Sequence, residues 1–395
     1  MTHEVPLIAT GTRHFPPLPA SAQAAILLPT ARWTPMARSV IASLVGTANE
    51  ETVVLVADNS ETREKREFLE RIRALNPYIF AIAHQKNVGG AGNLSYLFEW
   101  CRDLPYCAMM ADDDWMSPTY HTDAFELLRG DAKLSCAEVG STFVDIGDGK
   151  LVNVSQAAMQ GATPAERLPT WRPEVARATM YNASRRGALN HALQFLAATP
   201  LHGLTLAEDL WELNRLALGD FVSQPGPGCL VHYPANGSQN GDGTQRFYEL
   251  ICKGVGLQFS FVYFTALSTA VQCALFLGGS HSPIADPLQR AVCAQQVFAK
   301  IYAAGFLPMV GAESSHAAAR MLFAEHPRAL AGYLKFCAPP YSLQPVFAAD
   351  VVCWFIELIE VFEDKTPPAP ERLSRRFAHF VDGLMPGLLN ADGDC

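Results

Sequence analysis

Three adjacent acids, Asp112, Asp113 and Asp114, stand where an apolar run, YCAMMA (106–111), ends. Carboxylates this close repel one another unless something positive sits among them. A hard divalent cation answers that need. Carboxylate oxygens suit magnesium or manganese, and such a metal commonly also holds a diphosphate. The competing explanation is a helix start before Pro118, where an acid favours the dipole. One acid would serve that purpose, and there are three.

The elements that must position these acids alternate between strand and helix. AAILLP (24–29) is a short buried strand ending in proline, and 36–47 has helical spacing of Met36, Val40, Ile41 and Leu44. ETVVLVAD (51–58) is a second strand, stopped by Asp58, Asn59 and Ser60. Residues 61–76 are a charged amphipathic helix with Phe68, Leu69, Ile72 and Leu75 on its apolar face. IFAIAHQ (79–85) is the third strand, NVGGAGN (87–93) a glycine turn before a helix, and 106–111 the fourth strand. This alternation predicts a parallel sheet with helices on both faces. In such sheets ligands bind beyond the carboxyl ends of the strands. Thr30 to Arg32, Asp58 to Ser60, Asn87 to Asn93 and Asp112 to Asp114 all fall there, which predicts a nucleotide pocket.

After Pro118, which opens a helix, the alternation weakens. Residues 135–154 read as two strands joined by the turn GDGK, and helices follow at 186–198 and 205–218. The stretch 224–245 is rich in Gly, Pro, Asn and Ser and reads as a loop that bounds the sheet domain. From 246 to 389 the spacing is helical. The expected division is an N-terminal arm (1–21), a sheet domain (22–245) and a helical domain (246–395).

Composition sets outer limits. The 395 residues suit a main domain plus a second one. A net charge of -9 argues against a nucleic-acid partner but leaves room for a small phosphorylated ligand. Ten cysteines without a CxxC pair read as buried free thiols in a reducing cytosol. The N-terminus lacks a basic region followed by an apolar core, so it does not read as a signal peptide. Residues 254–279 carry no charge and are long enough to span a membrane, but Gln258, Gln272 and several Ser and Thr interrupt them. They read as buried helix. The expected location is the cytoplasm, with peripheral contact at the inner face of the membrane as a variant.

Four stretches in order carry a resemblance. PTARWTPMARSVIASL, VVLVADNSE, NVGGAGNLSYLFEW and ADDDWMSP resemble the corresponding segments of family 2 glycosyltransferases, and of a bacterial subgroup with a DDD motif. The resemblance implies a GT-A fold: a Rossmann-like α/β nucleotide-diphospho-sugar transferase domain, here followed by a mainly helical C-terminal domain. It implies a donor sugar on UDP or dTDP, Mn2+ or Mg2+, and an acceptor that is a glycan, a lipid-linked or small molecule, or a protein. Pro29, Thr30 and Arg32 would lie by the nucleotide, and Asp58 would accept from the base. Asn87, Gly89 and Gly90 would let the backbone pass close to it, and Asn93 is a further nucleotide-sugar-binding candidate. Asp112 and Asp113 would face ribose or metal, with Asp114 the main metal ligand. Two frames stay open: Asp112 with Asp114, or Asp113 with Asp114 and Ala111 in place of a first acid.

Inverting transfer also needs a base opposite the leaving phosphate. Family 2 enzymes usually supply it at a helix start, and TLAEDLWELNRLALG offers Asp209, with Glu208 as the alternative. Dipole stabilisation of that helix would explain the same two acids. His232, in CLVHYPANGSQ, would complete the metal shell on a loop closing over the diphosphate. His191 and His202 are further candidates for the acceptor side. The glycine segment departs from the family in reading Gly92-Asn93-Leu94 where a basic residue is common. The helical region would set acceptor choice or form a homodimer. Competing functions are a sugar-nucleotide-forming nucleotidyltransferase, disfavoured by the absence of glycine in TARWTPMAR, and a non-catalytic transferase-like binder, disfavoured by the retained acids.

Overall fold

The computed structural model describes residues 5–9, 15–139, 142–145, 150–153, 158–171, 181–198, 207–226, 229–232, 269–270, 272–274, 276–279 and 281–301. The chain divides into two compact units. The first comprises Met1–Gln160, Val175–Leu193 and Leu218–Asn236; the second comprises Gly161–Glu174, Gln194–Ala217 and Gly237–Cys395.

The described elements run β1 (Leu7–Ile8), β2 (Ala24–Thr30), α1 (Pro35–Ser43), β3 (Thr52–Asp58), α2 (Arg63–Leu75), β4 (Ile79–His84), α3 (Gly89–Trp100), β5 (Tyr106–Met109), β6 (Asp114–Met116), α4 (Thr122–Gly130), β7 (Leu134–Val139), β8 (Thr142–Asp145), β9 (Lys150–Asn153), α5 (Pro164–Arg167), β10 (Ala183–Arg185), α6 (Asn190–Ala198), α7 (Ala207–Leu218), β11 (Asp220–Gln224), β12 (Cys229–His232) and α8 (Pro287–Ile301). The first unit holds an eight-stranded sheet in the order β1-β4-β3-β2-β5-β10-β7-β11 and a four-stranded sheet in the order β6-β12-β8-β9. Strands β4, β3, β2 and β5 are parallel, so their carboxyl ends share one edge. β10 runs antiparallel between β5 and β7.

The physical basis is visible in β3. Every residue of TVVLVAD is buried, as a central strand covered on both faces requires. Each fully buried Val or Leu there contributes about 1.5–3 kcal/mol relative to exposure. α1 starts cleanly because Thr34 Oγ1 accepts from Ala37 N and Pro35 occupies the first turn, where its missing N–H costs nothing. The N-terminal arm is tied down: Leu7 and Ile8 pair in parallel with Ala83 and His84, Phe15 stacks on Trp100, and Trp100 Nε1 donates to Pro16 O.

Several local expectations are corrected. The glycine segment is not a turn up to Asn93, because α3 already begins at Gly89. Pro118 does not open the next helix, which starts at Thr122. The stretch 135–154 holds parts of three strands, β7, β8 and β9, and residues 147–149 of the expected GDGK turn lie outside the described residues. The expected loop 224–245 contains β12, whose hydrogen bonds come from β6 and β8. Leu75 is 71% exposed, and the buried face of α2 is instead Lys65, Leu69 and Ile72. In the second unit α5, α8 and parts of α6 and α7 are described; of the expected helical domain, 246–268 and 302–395 lie outside the described residues, and so does most of 254–279. Among the described residues no helix is long and apolar enough to cross a membrane. Cys101, Cys107, Cys136, Cys273 and Cys293 are free and buried, as expected.

Candidate active site

The first of the three acids is engaged by the loop that follows β2. Asp112 is buried, and its Oδ2 accepts from Thr30 Oγ1 at 2.6 Å, Arg32 N at 3.1 Å and Ala31 N at 3.2 Å. Its Oδ1 accepts from the Arg32 guanidinium at 2.9 Å. The same guanidinium nitrogen lies 2.5 Å from Asp113 Oδ2. Arg32 is thus the positive group among the acids. The loop after β2 reaches Asp112 because β2 and β5 are adjacent parallel strands, with Leu27 paired to Met109.

A second cation sits beneath the same edge. Lys65 is fully buried, on the apolar face of α2, and its Nζ donates to Thr30 Oγ1 at 2.7 Å and Arg32 O at 2.8 Å. It lies 3.2 Å from Asp58 Oδ1, which also accepts from Ser60 N at 3.0 Å. Asp58 is the Cα partner of Thr30 across the β2–β3 ladder. Burial lowers the Lys65 pKa, and the charges of Asp58 and Asp112 act against that shift.

The glycine segment is braced from β3. Asn59 Nδ2 donates to Asn87 Oδ1 at 2.8 Å and Gly89 O at 3.3 Å, while its Oδ1 accepts from Val88 N at 2.8 Å. Asn87 Oδ1 also accepts from Gly89 N, and Asn87 N donates to Glu61 Oε1 at 2.7 Å. Two residues here take left-handed backbone, Gly89 at φ 74° and Glu61 at φ 59°. Glycine carries that geometry freely; Glu61 pays strain for it, held by the bond to Asn87. Gly89 and Gly90 are exposed at the start of α3, whose N-cap residue, Val88, makes no side-chain cap. Asn93 points the other way: it is buried, donates to Ala57 O at 2.9 Å and meets His84 Nε2 at 2.9 Å. Its amide ties α3 to β3 and β4.

Asp113 and Asp114 diverge. Burial raises the Asp113 pKa; Arg32 pulls it back down, and Asp114 and Asp112 push it up again. Asp114 is buried, and its Oδ2 accepts from the Tyr181 hydroxyl. It opens β6, and the pairing of β6 with β12 sets His232 directly opposite it. On the other side of β12, His232 is paired with Asp145, and Asp145 with Lys150 of β9. Asp114, His232, Asp145 and Lys150 therefore form one row across the second sheet. Among the described residues, no three His, Cys, Asp or Glu side chains converge to hold a metal ion; the side chain of His232 lies outside that description.

The two base candidates belong to the second unit. Asp209 is buried in the first turn of α7, and its charge helps hold the Cys273 thiol well above its usual range, after burial. Glu208 follows Ala207 at the start of the same helix. Pro29 is half-buried near the end of β2, His191 lies in α6, and His202 is outside the described residues. Reading the sequence missed Lys65, Glu61 and Tyr181, and took Asn59 only as a member of the cluster Asp58 to Ser60. Lys65 had a signal, because it stands three residues before Phe68 and four before Leu69 on the buried face.

Acids and amide-braced glycines thus stand along the shared carboxyl edge of four parallel strands. The family model "Glycosyl transferase family 2" matches residues 26–192. The match spans less than half of the chain, and over that segment the sequence is similar to family 2 glycosyltransferase domains. No curated protein sequence matches the chain. Among solved structures, S. aureus TarS 1-349 is similar at 14% identity and a TM-score of 0.46, covering 92% of this chain and 89% of that one. The same protein in complex with UDP-GlcNAc matches at 12% identity and a TM-score of 0.46, over 92% and 89%. The mannosyltransferase PcManGT from Pyrobaculum calidifontis, in complex with GDP-Man and Mn2+, matches at 14% identity and a TM-score of 0.39, over 87% and 89%.

Proposed function

We propose that the protein transfers a sugar, with inversion and with a divalent cation, from a UDP- or dTDP-type sugar to an acceptor hydroxyl. The observation that carries this reading is the Asp112 clamp. By holding Thr30, Ala31 and Arg32 against the acidic segment, it gathers Asp58, Arg32, Asp113 and Asp114 at one sheet edge. A nucleoside diphosphate needs that combination: an acceptor for the base, a cation near phosphate, and carboxylates for a metal.

The donor set suits magnesium or manganese. Asp112 and Asp113 share one guanidinium, and Asp112 has spent both oxygens on protein donors. Asp114, with His232 opposite it in the ladder, would hold the ion, and Asp113 would stand beside them. The ion would neutralise charge on the departing diphosphate. Asp58 would accept from a base N–H through Oδ2, and the exposed Gly89 and Gly90 would allow the backbone close to the base. Asp209 would take the proton as the acceptor oxygen attacks the anomeric carbon and the bond to the diphosphate breaks.

The test is a nucleotide-sugar hydrolysis and transfer screen with manganese, with and without EDTA, on wild type, Asp114→Ala and Asp209→Asn. The reading expects a nucleoside diphosphate as product, lost on chelation and lost in both variants. Turnover indifferent to EDTA overturns the metal, and retention of anomeric configuration overturns Asp209 as base.

A further inference from the structure

We infer that Lys65 is a positioning residue of the nucleotide pocket, fixing which oxygen of Asp58 is offered to the base and which way the Thr30 hydroxyl points. The inference rests on the transferase reading above and deepens it. An ammonium has three protons and no lone pair. Lys65 places three acceptors around Nζ: Thr30 Oγ1, Arg32 O and Asp58 Oδ1.

Two consequences follow from proton bookkeeping. Thr30 Oγ1 receives from Lys65, so its one hydrogen goes to Asp112 Oδ2, the contact seen at 2.6 Å. Asp58 Oδ1 receives from both Lys65 and Ser60 N. Its Oδ2 is left without a hydrogen-bond partner among the described residues, and it is the atom free to read a base N–H. Lys65 therefore joins the β3 side of the pocket to the clamp on the β2 side. Its own surroundings make the geometry rigid: it is fully buried, and Leu69 and Ile72 bury the same face of α2. A flexible surface lysine would give neither the direction nor the register.

The experiment measures affinities of the full chain for UDP, dTDP, CDP, GDP, ADP and inorganic pyrophosphate by calorimetry, in wild type, Lys65→Met, Asp58→Asn and the double variant. Wild type is expected to prefer one base over bare pyrophosphate. Lys65→Met should cut that preference about tenfold or more, the scale of one lost hydrogen bond to a charged group. The double variant should lose no more than Asp58→Asn alone, because Lys65 acts through Asp58. A purely structural lysine would lower the melting temperature and leave the ratio of affinities alone. A folded Lys65→Met with its base preference intact overturns the inference, as do additive losses in the double variant. Should Lys65→Met fail to fold, Lys65→Gln keeps amide protons for Thr30 and Arg32 O without the charge. It is then expected to weaken base preference, and an unchanged preference overturns the inference. If wild type binds no nucleoside diphosphate, the transferase reading itself falls, which is a different result from binding without dependence on Lys65.

Discussion

His232 stands directly across the β-ladder from Asp114. Strands β12 and β6 run antiparallel and pair Leu230 with Met116, Val231 with Trp115 and His232 with Asp114. A histidine from a stretch rich in Gly, Pro and Asn thus lands beside the third acid of a distant triplet, placed there by backbone pairing. If the two share a metal, Asp114→Ala and His232→Ala should each lower turnover by about a hundredfold or more. A manganese titration followed by thermal shift should stabilise wild type and neither variant. Equal manganese stabilisation of His232→Ala would remove it from the shell.

Asp112 should behave differently from Asp114. Removing its carboxylate leaves the Thr30 hydroxyl and the Ala31 and Arg32 N–H groups without their acceptor at a buried position, while the Arg32 guanidinium keeps Asp113. Leaving a buried donor unsatisfied typically costs about 1–3 kcal/mol. Asp112→Ala should therefore lower the midpoint of urea unfolding, and Asp112→Asn, which keeps an acceptor oxygen, should lower it less. An Asp112→Ala variant with wild-type stability would disprove the clamp.

Acid should weaken the first unit through His121. The imidazole is buried beside Tyr120 and Phe125, and its Nε2 donates to Tyr181 O. Burial lowers its pKa to about 4, from an ordinary 6.5. The folded state thus disfavours the charged form. The stability this contributes is complete above pH 6.5 and is lost as pH falls toward 4. The span corresponds to about 3 kcal/mol. Urea unfolding at stepped pH should show the decline, and His121→Gln should flatten it across that window.

Gly219 is packed against the start of β7. A Cβ there would meet Lys133 O at 2.6 Å, with Ser135 N and Cβ at 3.0 Å. Backbone cannot move aside as a flexible side chain does, so Gly219→Ala should destabilise by about 1–3 kcal/mol. Gly187, with open space around it, provides the control: Gly187→Ala should not produce that loss.

Much of the site was legible from local patterns. The strands that end at Thr30, Asp58, His84 and Met109 announce themselves as apolar runs stopped by polar residues, and their alternation with helices implies one common edge. The acids at 112–114 follow from the same logic. Less legible were the residues that look like something else. Lys65 reads as one more charge in REKREFLERIRAL, and only its place on the Leu69–Ile72 face betrays burial. Asn93 reads as part of a glycine turn, yet α3 turns its amide inward to His84 and Ala57. β12 was hidden because strand pairing can satisfy a segment that its own composition marks as a loop.

The sequence by itself determined the parallel edge and the chemistry assembled along it, because burial periodicity and turn residues are local properties written in consecutive positions. The tertiary structure alone decided how the charges divide. Arg32 and Lys65 each select particular oxygens of Asp112, Asp113 and Asp58, and β12 puts His232 opposite Asp114. Such choices depend on distances of a few ångströms between segments far apart in the chain. No spacing along the sequence encodes them; they arise when the sheet closes and buried charges must find partners.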